Sequence, residues 1–424
     1  MLRRFCLYGF LKNQRYFEPF LILALLDKGL SYFTIGLLIA FREVCINLLE
    51  VPSGSVADVY GRRRALIVSF AAYAASFLVF ATADGLPLLA LAMFLFAIGE
   101  AFRSGTHKAL IFAWLRQQDR LSERTRVYGY TRSWSQIGSA VSVVIAAVLV
   151  FAIGDYEWVF LLSTVPCVLN VVNFLGYPQE LDAPSRGSVA LSVVLRHTRD
   201  ALRTAAREPR LRRLMLESMC FEGVFDAVKG YLQPALNALA TSAAVAVGIA
   251  ISGQQSTAAL VGVVYLGLHL LAAAASRNAY RVEERAGGLE RGAGMMWRIM
   301  AATYAVAAMA GYIAAVAVLV AALVALHVLQ SLWRPVIISR FDAHSDESVG
   351  ATVLSIESQS QRVATMIVAP LIGLAVDTLR AAGAGEFWPV GAVGLLLALP
   401  FVIWRAPQPL ATQTPARQIS VHDP

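Results

Sequence analysis

The sequence predicts an all-α membrane protein with twelve transmembrane helices. Its 424 residues are 58% hydrophobic and 15% charged, with a mean hydropathy of +0.61. A soluble fold cannot bury that much apolar side chain. The apolar runs approach the ~20 residues needed to cross a ~30 Å hydrocarbon core. Arginine and lysine cluster in alternate connections between these runs, as expected for a chain that crosses a membrane repeatedly.

The predicted spans follow one another along the chain. In the first half they cover residues 7–26, 32–56, 65–83, 86–115, 127–153 and 156–176, and in the second half 211–236, 257–279, 294–311, 312–341, 350–379 and 387–404. The run 235–251 could be an extra span. We interpret it as an outer loop or a helix extension, because an even count keeps the later basic loops on the inner side. Only Gly311 marks the break between the ninth and tenth spans.

These spans predict four regions. They are an amino-terminal six-helix bundle over 1–177, a cytoplasmic linker over 178–210, a carboxy-terminal six-helix bundle over 211–405 and a tail over 406–424. Apolar residues of the linker, such as Val189, Val193 and Leu202, recur at roughly helical spacing among arginines, which predicts an amphipathic helix. The tail is rich in Pro, Thr and Gln and is predicted to be disordered.

The net charge of +8 could indicate nucleic-acid binding, but the placement of the basic residues argues against it. They lie in the connections at 3–4, 62–64, 116–126, 186–213, 277–291 and 405–417, whereas the other connections hold only Lys28 and Arg380 beside several acids. This asymmetry predicts that both termini are cytoplasmic and that anionic membrane lipids are the partners. The compact loops favour a bacterial inner (plasma) membrane, and we expect a monomer.

The sequence predicts neither a cofactor nor an enzyme. Cys6, Cys45, Cys167 and Cys220 are dispersed, with no CxxC and no histidine at ligand spacing. No Walker loop is present, so direct coupling to ATP is unsupported. The sequence also shows no Ser/His/Asp constellation of the kind that would indicate an enzyme acting on lipid.

A basic motif follows the second span. The chain reads GSVADVYGRRR from Gly54, which resembles the G-x-x-x-D-x-x-G-R-[KR] loop signature of the major facilitator superfamily. In this interpretation Gly54 allows close helix packing and Gly61 a tight turn. Asp58 accepts hydrogen bonds, while Arg62 and Arg63 hold the inner gate and face anionic lipid.

The resemblance covers nearly the whole chain, with weaker echoes at 50–54, 99–105, 351–355 and 369–373. It implies two pseudo-symmetric six-helix halves with a solute site between them near the bilayer midplane. The chain departs from the family pattern where Val59 replaces a basic residue, where the loop after the eighth span lacks the repeated motif, and where the fifth span lacks the Gly-Pro antiporter signature. The last departure disfavours drug/proton antiport.

Charged side chains recur at helical spacing inside several spans. Each costs about 2.5–3.5 kcal/mol at mid-bilayer, so such stripes are expected to face protein or a wet cavity. The predicted cavity residues are Arg15, Glu18, Glu43, Asn47, Glu100, Arg103, His107, Arg132, Gln136, Glu222, Asp226, Lys229, Gln233, His327 and Gln330. Arg334 and Arg362 join the motif residues as predicted gating groups. Interhelical salt bridges without solute contact are the alternative, and both histidines are expected to be packed or hydrogen-bonded rather than to carry protons.

Arg15, Arg103 and Arg132 indicate a solute with a carboxylate or phosphate, because a guanidinium matches such groups. The acids of the seventh span could receive an amine or a proton. We therefore predict a secondary transporter that moves a small anionic or zwitterionic organic solute by alternating access. Coupling to protons is expected through Glu18, Glu43 or Asp226. The alternatives are a multidrug efflux antiporter and a non-transporting receptor or sensor with the same fold.

Overall fold

The computed structural model describes residues 1–104, 106–120, 123–182, 207–247, 253–342, 350–382, 385 and 387–403. Within these residues the regular secondary structure is helical throughout. The predicted linker helix and the predicted tail fall mainly in 183–206 and 404–424, outside the described residues.

Eight α-helices precede the linker. They are α1 Leu2–Lys12, α2 Leu21–Asp27, α3 Tyr32–Tyr60, α4 Arg62–Thr82, α5 Leu86–Arg103, α6 Thr106–Gln117, α7 Arg124–Ile153 and α8 Glu157–Leu175. We refer to α1–α8 as the amino-terminal half.

Nine more follow the linker in the described residues. They are α9 Pro209–Ser218, α10 Val224–Val228, α11 Leu232–Val247, α12 Gly253–Arg277, α13 Tyr280–Ala286, α14 Leu289–Tyr312, α15 Val316–Asp342, α16 Gly350–Ala381 and α17 Trp388–Ile403. We refer to α9–α17 as the carboxy-terminal half.

Among the described residues, eight helices are long and apolar enough to cross a membrane. They correspond to the predicted spans other than the first, seventh, ninth and twelfth. The first and seventh spans are broken into shorter pieces, and α17 has only 16 residues. The helix that contains the ninth span, α14, has the charged residues Glu290 and Arg291 in its first turn. Polar or short helices of this kind need neighbouring helices to shield them.

The prediction of one continuous first helix over 7–26 is wrong. α1 ends at Lys12, and a 3₁₀ turn at Glu18–Phe20, with Pro19 in its first turn, leads into α2. The amide of Asn13 donates to the Ser135 carbonyl oxygen at 2.6 Å, and that of Gln14 donates to the Gly138 carbonyl oxygen at 3.1 Å. Side chains thus hold the broken backbone against α7.

The predicted seventh span, 211–236, is interrupted as well. A π-helical turn at Met219–Gly223 joins α9 to α10, and a 3₁₀ turn at Lys229–Tyr231 joins α10 to α11. At Gly223 the carbonyl oxygen accepts from the Thr365 hydroxyl at 2.9 Å. A Cβ at Gly223 would lie only 2.7 Å from the Cβ of Ala364, so this turn brings α10 close to α16.

Two uncertain boundaries are resolved. The run that begins at 235 is a helix extension, because α11 continues to Val247. The break between the ninth and tenth spans lies after Tyr312, with Ala314 at φ 56°, and not at Gly311. Gly311 lies inside α14, where a Cβ would sit 2.6 Å from the backbone nitrogen of Trp388. Its small size therefore serves helix packing.

The basic motif is largely helical. Gly54 to Tyr60 form the last turns of α3, whereas a loop was predicted. Gly61 has a φ of 103° and makes the turn into α4, a conformation that favours glycine. Gly54 is exposed, and a Cβ built there meets no atom of the described residues within 4 Å. Its predicted role in close helix packing is therefore wrong.

Among the described residues, three pairs of helices bring the two halves together. α3 packs against α16 over much of its length, α7 packs against α12, and α2 contacts α11. Glycines allow the closest approaches: a Cβ at Gly36 would lie 2.7 Å from the Ala369 carbonyl oxygen, and one at Gly262 would lie 2.6 Å from the Cβ of Ala147. Between these pairs the halves separate and enclose a cavity.

Candidate functional site: a charged chamber between the halves

A cavity of about 690 Å³ lies between the two halves, and we call it the chamber. This volume is in the range of pockets that hold small organic molecules. Both halves contribute charged or polar groups to its wall. The structure places the following predicted residues there: Arg15, Glu18, Glu43, Glu100, Arg103, Asp226, Lys229, Gln233, His327, Gln330 and Arg362.

The wall of the amino-terminal half contains a compact ionic group. Arg103 forms an ion pair with Glu100 one turn earlier on α5, and the Tyr73 hydroxyl donates to Glu100 at 2.5 Å. Arg15 approaches Glu100 and Glu18 only to 3.9 Å. Because Arg103 already neutralises Glu100, the Arg15 guanidinium adds positive charge to the wall and keeps donors for a bound anion.

Lys12 and Ser142 also line the chamber, although neither was among the predicted site residues. The Lys12 ammonium lies 5.5 Å from the centroid of the Tyr8 ring and makes no salt bridge within the described part of the chain. The Ser142 hydroxyl is buried and makes no hydrogen bond there. Lys12 stands three residues before Arg15 in the first predicted span. This helical spacing could have identified Lys12 as a residue of the chamber.

The helix α3 carries an ion pair on the same wall. Arg42 donates to Glu43 at 2.6 Å, and the other oxygen of Glu43 lies 3.8 Å from Arg362 on α16. This contact crosses between the halves. The two cations leave Glu43 well compensated.

The wall of the carboxy-terminal half contains a second ionic group. Asp226 and Lys229 pair at 2.7 Å with side chains 43% and 46% exposed, so both remain accessible from the chamber. The His327 Nδ1 atom lies 2.8 Å from the Leu323 carbonyl oxygen, as expected for a hydrogen-bonded histidine. His269 lines the chamber too, and it was missed because it stands alone in its span.

Other predicted residues lie away from the chamber. His107 is buried against Tyr8, with ring centroids 3.6 Å apart, inside the amino-terminal half. Glu222 is buried in an ionic cluster with Arg334. Asn47 donates to the Gln359 carbonyl oxygen at 3.2 Å and so joins α3 to α16.

Arg132 and Gln136, which were predicted to line the cavity, are exposed residues of α7 and are not among the residues that line the chamber in the described part of the chain. They stand seven positions before Ser139 and Val143, both of which line the chamber. Residues seven apart share a helix face, so this pair continues the chamber stripe toward the end of the bundle where α7 begins. We call that end, which also holds the Arg62–Arg64 cluster at the start of α4, the basic end.

Contacts between the halves close the opposite end of the chamber. The Asp377 carboxylate on α16 accepts from the backbone N–H of Tyr32 at 3.1 Å and of Phe33 at 2.8 Å. Gln233 on α11 accepts from the N–H of Ile22 at 2.8 Å and donates to the Glu18 carbonyl oxygen at 2.9 Å. The first turns of α2 and α3 in the amino-terminal half thus have backbone N–H groups satisfied by side chains of the other half.

Comparisons with known proteins place this architecture. Residues 13–277, more than half of the chain, match the model of the Major Facilitator Superfamily. The chain belongs to the Major Facilitator Superfamily. It is therefore an integral membrane protein.

One curated relative of this superfamily is an uncharacterized MFS-type transporter, YxaM, from Bacillus subtilis (strain 168). The two are 33% identical over 90 residues, which are 21% of this chain and 23% of the relative. The match thus spans less than a quarter of the relative's length.

Solved structures share the superfamily fold along nearly the whole chain. A mutant of the nucleoside transporter NupG has a TM-score of 0.77 at 12% identity, covering 95% of this chain and 98% of its own. A POT family transporter in complex with 5-aminolevulinic acid scores 0.69 at 12% identity, covering 95% of each chain. A D-xylose-proton symporter scores 0.62 at 12% identity, covering 94% and 95%. At these identities the likeness shows the fold.

The predicted gating residues of the superfamily motif can now be located. Arg63 donates to the Phe174 and Leu175 carbonyl oxygens at 2.9 and 3.1 Å, and so ties α4 to the end of α8 within one half. Arg62 begins α4. The side chain of Asp58 lies outside the described part of the chain.

Arg362, a predicted gating residue, joins the two halves. Its guanidinium donates to Glu50 at 2.5 Å and to Asn47 at 3.3 Å, both on α3. Arg334, in contrast, contacts Glu222 and Glu357 of its own half. We call the contacts of Arg362 with Glu50 and Asn47 the basic-end lock.

Proposed function

We propose that the chain is a secondary transporter for a small zwitterionic organic solute, which it moves by alternating access. The observation that carries this proposal is the distribution of charge in the chamber. Lys12 and Arg15 provide cations on the wall of the amino-terminal half, and Asp226 provides an accessible carboxylate on the facing wall.

In this proposal the anionic group of the solute binds Lys12 and Arg15, with the free Ser142 hydroxyl as a further donor. A guanidinium and an ammonium in a confined site recognise a carboxylate strongly, since hydrogen bonds to charged groups contribute about 1.5–3 kcal/mol. The ammonium group of the solute binds near Asp226 and Glu18. Such a solute would bridge the halves, which is what a transporter needs in order to couple binding to their movement.

Alternating access requires that each end of the chamber can open in turn. Contacts of Asp377 and Gln233 close the opposite end, and the basic-end lock holds α3 to α16 at the other. We propose that these two sets break alternately. We also propose that the basic end faces the cytoplasm of a bacterial cell, on the ground of the arginine clusters, and that protons drive the cycle.

Ligand-induced thermal stabilisation of the purified protein tests the solute class. The probes are alanine, its methyl ester, which lacks the anion, and N-acetylalanine, which lacks the cation, followed by larger amino acids in the same three forms. We expect the zwitterion to bind at least tenfold more tightly than either derivative. Lys12→Gln and Arg15→Gln should remove this preference for the free carboxylate.

Lys28→Gln is the matched control, because Lys28 pairs with Glu157 at 2.6 Å outside the chamber. It should leave the three affinities unchanged. Equal affinities for all three forms across the series would contradict the proposed solute class. For coupling, uptake into proteoliposomes should increase when an inward proton gradient is imposed, and indifference to the gradient would contradict it.

A further inference from the structure

We propose that the coupling proton binds at a buried carboxylate pair outside the chamber, Glu222 with Glu357, for which Arg334 is the shared cation within the described part of the chain. This inference deepens the proton coupling proposed above. The sequence indicated Glu18, Glu43 or Asp226 for proton coupling, and the proposed site is a different one.

The acids predicted from the sequence are either paired or open to the chamber. Glu43 pairs with Arg42 at 2.6 Å and Asp226 pairs with Lys229 at 2.7 Å, whereas the Glu18 side chain is 54% exposed and lies 3.9 Å from Arg15. A carboxylate matched one to one by a cation gains little from binding a proton. These groups are better suited to the charges of the solute.

The pair of Glu222 and Glu357 has more negative than positive charge around it. One nitrogen of Arg334 contacts Glu222 at 3.0 Å and Glu357 at 2.6 Å. The Glu222 side chain is 8% exposed and that of Glu357 is fully buried. Two carboxylates against one guanidinium leave one net negative charge in a buried place, which is unfavourable. A single bound proton removes that charge, as in other sites where two carboxylates lie together.

The hydrogen bonds identify the atom that takes the proton. Glu357 is well supplied with donors, because the Ser218 hydroxyl donates to it at 2.5 Å and Arg334 donates to both of its oxygens. In Glu222 the Oε2 atom accepts from Arg334 and from the Gln361 amide at 3.0 Å. Its Oε1 atom is buried and has no partner within the described residues. We therefore place the proton on Oε1 of Glu222, where it arrives from water and leaves by the same route.

The backbone at this position is unusual. Glu222 lies in the π-helical turn Met219–Gly223, an arrangement that is often found at functional sites. Other charged groups near the pair come from each packed element. Arg213 and Glu217, which pair with each other, lie on α9, and Asp226 follows one turn later on α10, while Arg334 lies on α15 and Glu357 on α16. The α17 helix, which also packs here, carries no charged residue.

The position of the pair explains how a proton could affect both the solute and the basic-end lock. Asp226 lines the chamber and lies four residues from Glu222, so a charge bound at one changes the field at the other. On α16, Gln361 donates into the pair, and its neighbour Arg362 makes the basic-end lock with Glu50. Protonation of Glu222 therefore alters the helix that carries the lock.

Infrared spectroscopy of the purified protein tests this site without any solute. The carbonyl stretch of a protonated carboxyl group is followed as the pH is lowered from 9 to 5, at about one-unit steps. In the wild type we expect this carbonyl band to appear as the pH is lowered. In Glu222→Gln the band should be lost. Glu357→Gln is the second variant, and it should also abolish the band, because Arg334 then neutralises Glu222 alone.

Glu217→Gln is the matched control. Glu217 is also buried, but it contacts two cations, Arg340 and Arg213, of which Arg340 also binds Glu290. Its variant should retain the band. A band that persists in both Glu222→Gln and Glu357→Gln would overturn the assignment. No solute is used, so the infrared result does not depend on whether the protein transports the proposed solute. A wrong proton site can therefore be distinguished from a wrong proposed function.

Discussion

Removing the basic-end lock should open the chamber toward the basic end. In Arg362→Gln, Glu50 loses a charged partner at 2.5 Å, and Glu43 loses a more distant one at 3.8 Å. The side chains of Arg362 and Glu50 are 18% and 15% exposed. Breaking a fully buried pair costs about 3–5 kcal/mol, and a surface pair contributes about 0.2–1 kcal/mol. An intermediate value of about 1–3 kcal/mol shifts the equilibrium between closed and open forms by roughly 5- to 150-fold.

A cysteine placed in the chamber reports this opening. Ser331 lines the chamber on α15, so Ser331→Cys can be labelled with a membrane-impermeant maleimide in sealed vesicles of either orientation. This is done after Cys6, Cys45, Cys167 and Cys220 have been replaced by serine or alanine. With Arg362→Gln added, the labelling rate from the basic end should increase at least fivefold, while that from the opposite end should fall.

Lys28→Gln serves as the control for charge removal, because the Lys28–Glu157 pair lies within one half and should not affect the equilibrium between forms. Unchanged labelling from the basic end in Arg362→Gln would show that this arginine does not hold the two halves together there.

Three further predictions concern the contacts between and within the halves. Asp377→Ala removes the acceptor for the N–H groups of Tyr32 and Phe33, and losing such a helix cap costs about 0.5–2 kcal/mol. The labelling of Ser331→Cys from the opposite end should therefore increase. An increase at the basic end alone would contradict this prediction. Gly36→Val forces a side chain against α16, because a Cβ there would lie 2.7 Å from the Ala369 carbonyl oxygen, and it should reduce solute uptake about tenfold. The control Gly267→Val should retain uptake, because a Cβ at Gly267 meets no described atom within 4 Å. Arg340→Met leaves buried Glu217 with Arg213 alone and should destabilise the protein by about 3 kcal/mol, measured by thermal unfolding in detergent; an unchanged midpoint would show that the pair contributes nothing.

The sequence was informative about the helices because apolar length is a local property. The spans now seen as α3, α4, α7 and α8 begin and end within a few residues of their predicted limits. The break after Lys12 was not predictable, since the residues that hold it, Ser135 and Gly138, are far away in the chain.

Side-chain direction explains which site residues could be predicted and which could not. Glu222 and Asp226 are four apart on what appears from the sequence to be a single polar stripe, yet Asp226 faces the chamber and Glu222 faces Arg334. The π-helical turn between α9 and α10 and the neighbouring helices decide this, and neither is encoded in the local spacing. His107 is a similar case, because its partners Tyr8 and Tyr177 come from α1 and the segment after α8.

Transport of a charged solute requires that the charged groups on these apolar helices face a shared, water-filled chamber and not lipid. Reaction of single cysteines on α7 with a water-soluble maleimide tests it most directly. Ser139 lines the chamber, whereas Ile137, 46% exposed, does not and lies about 3 Å away along the helix axis. We expect rapid reaction of Ser139→Cys and slow reaction of Ile137→Cys in membranes. Equal rates, or a faster reaction at 137, would contradict it.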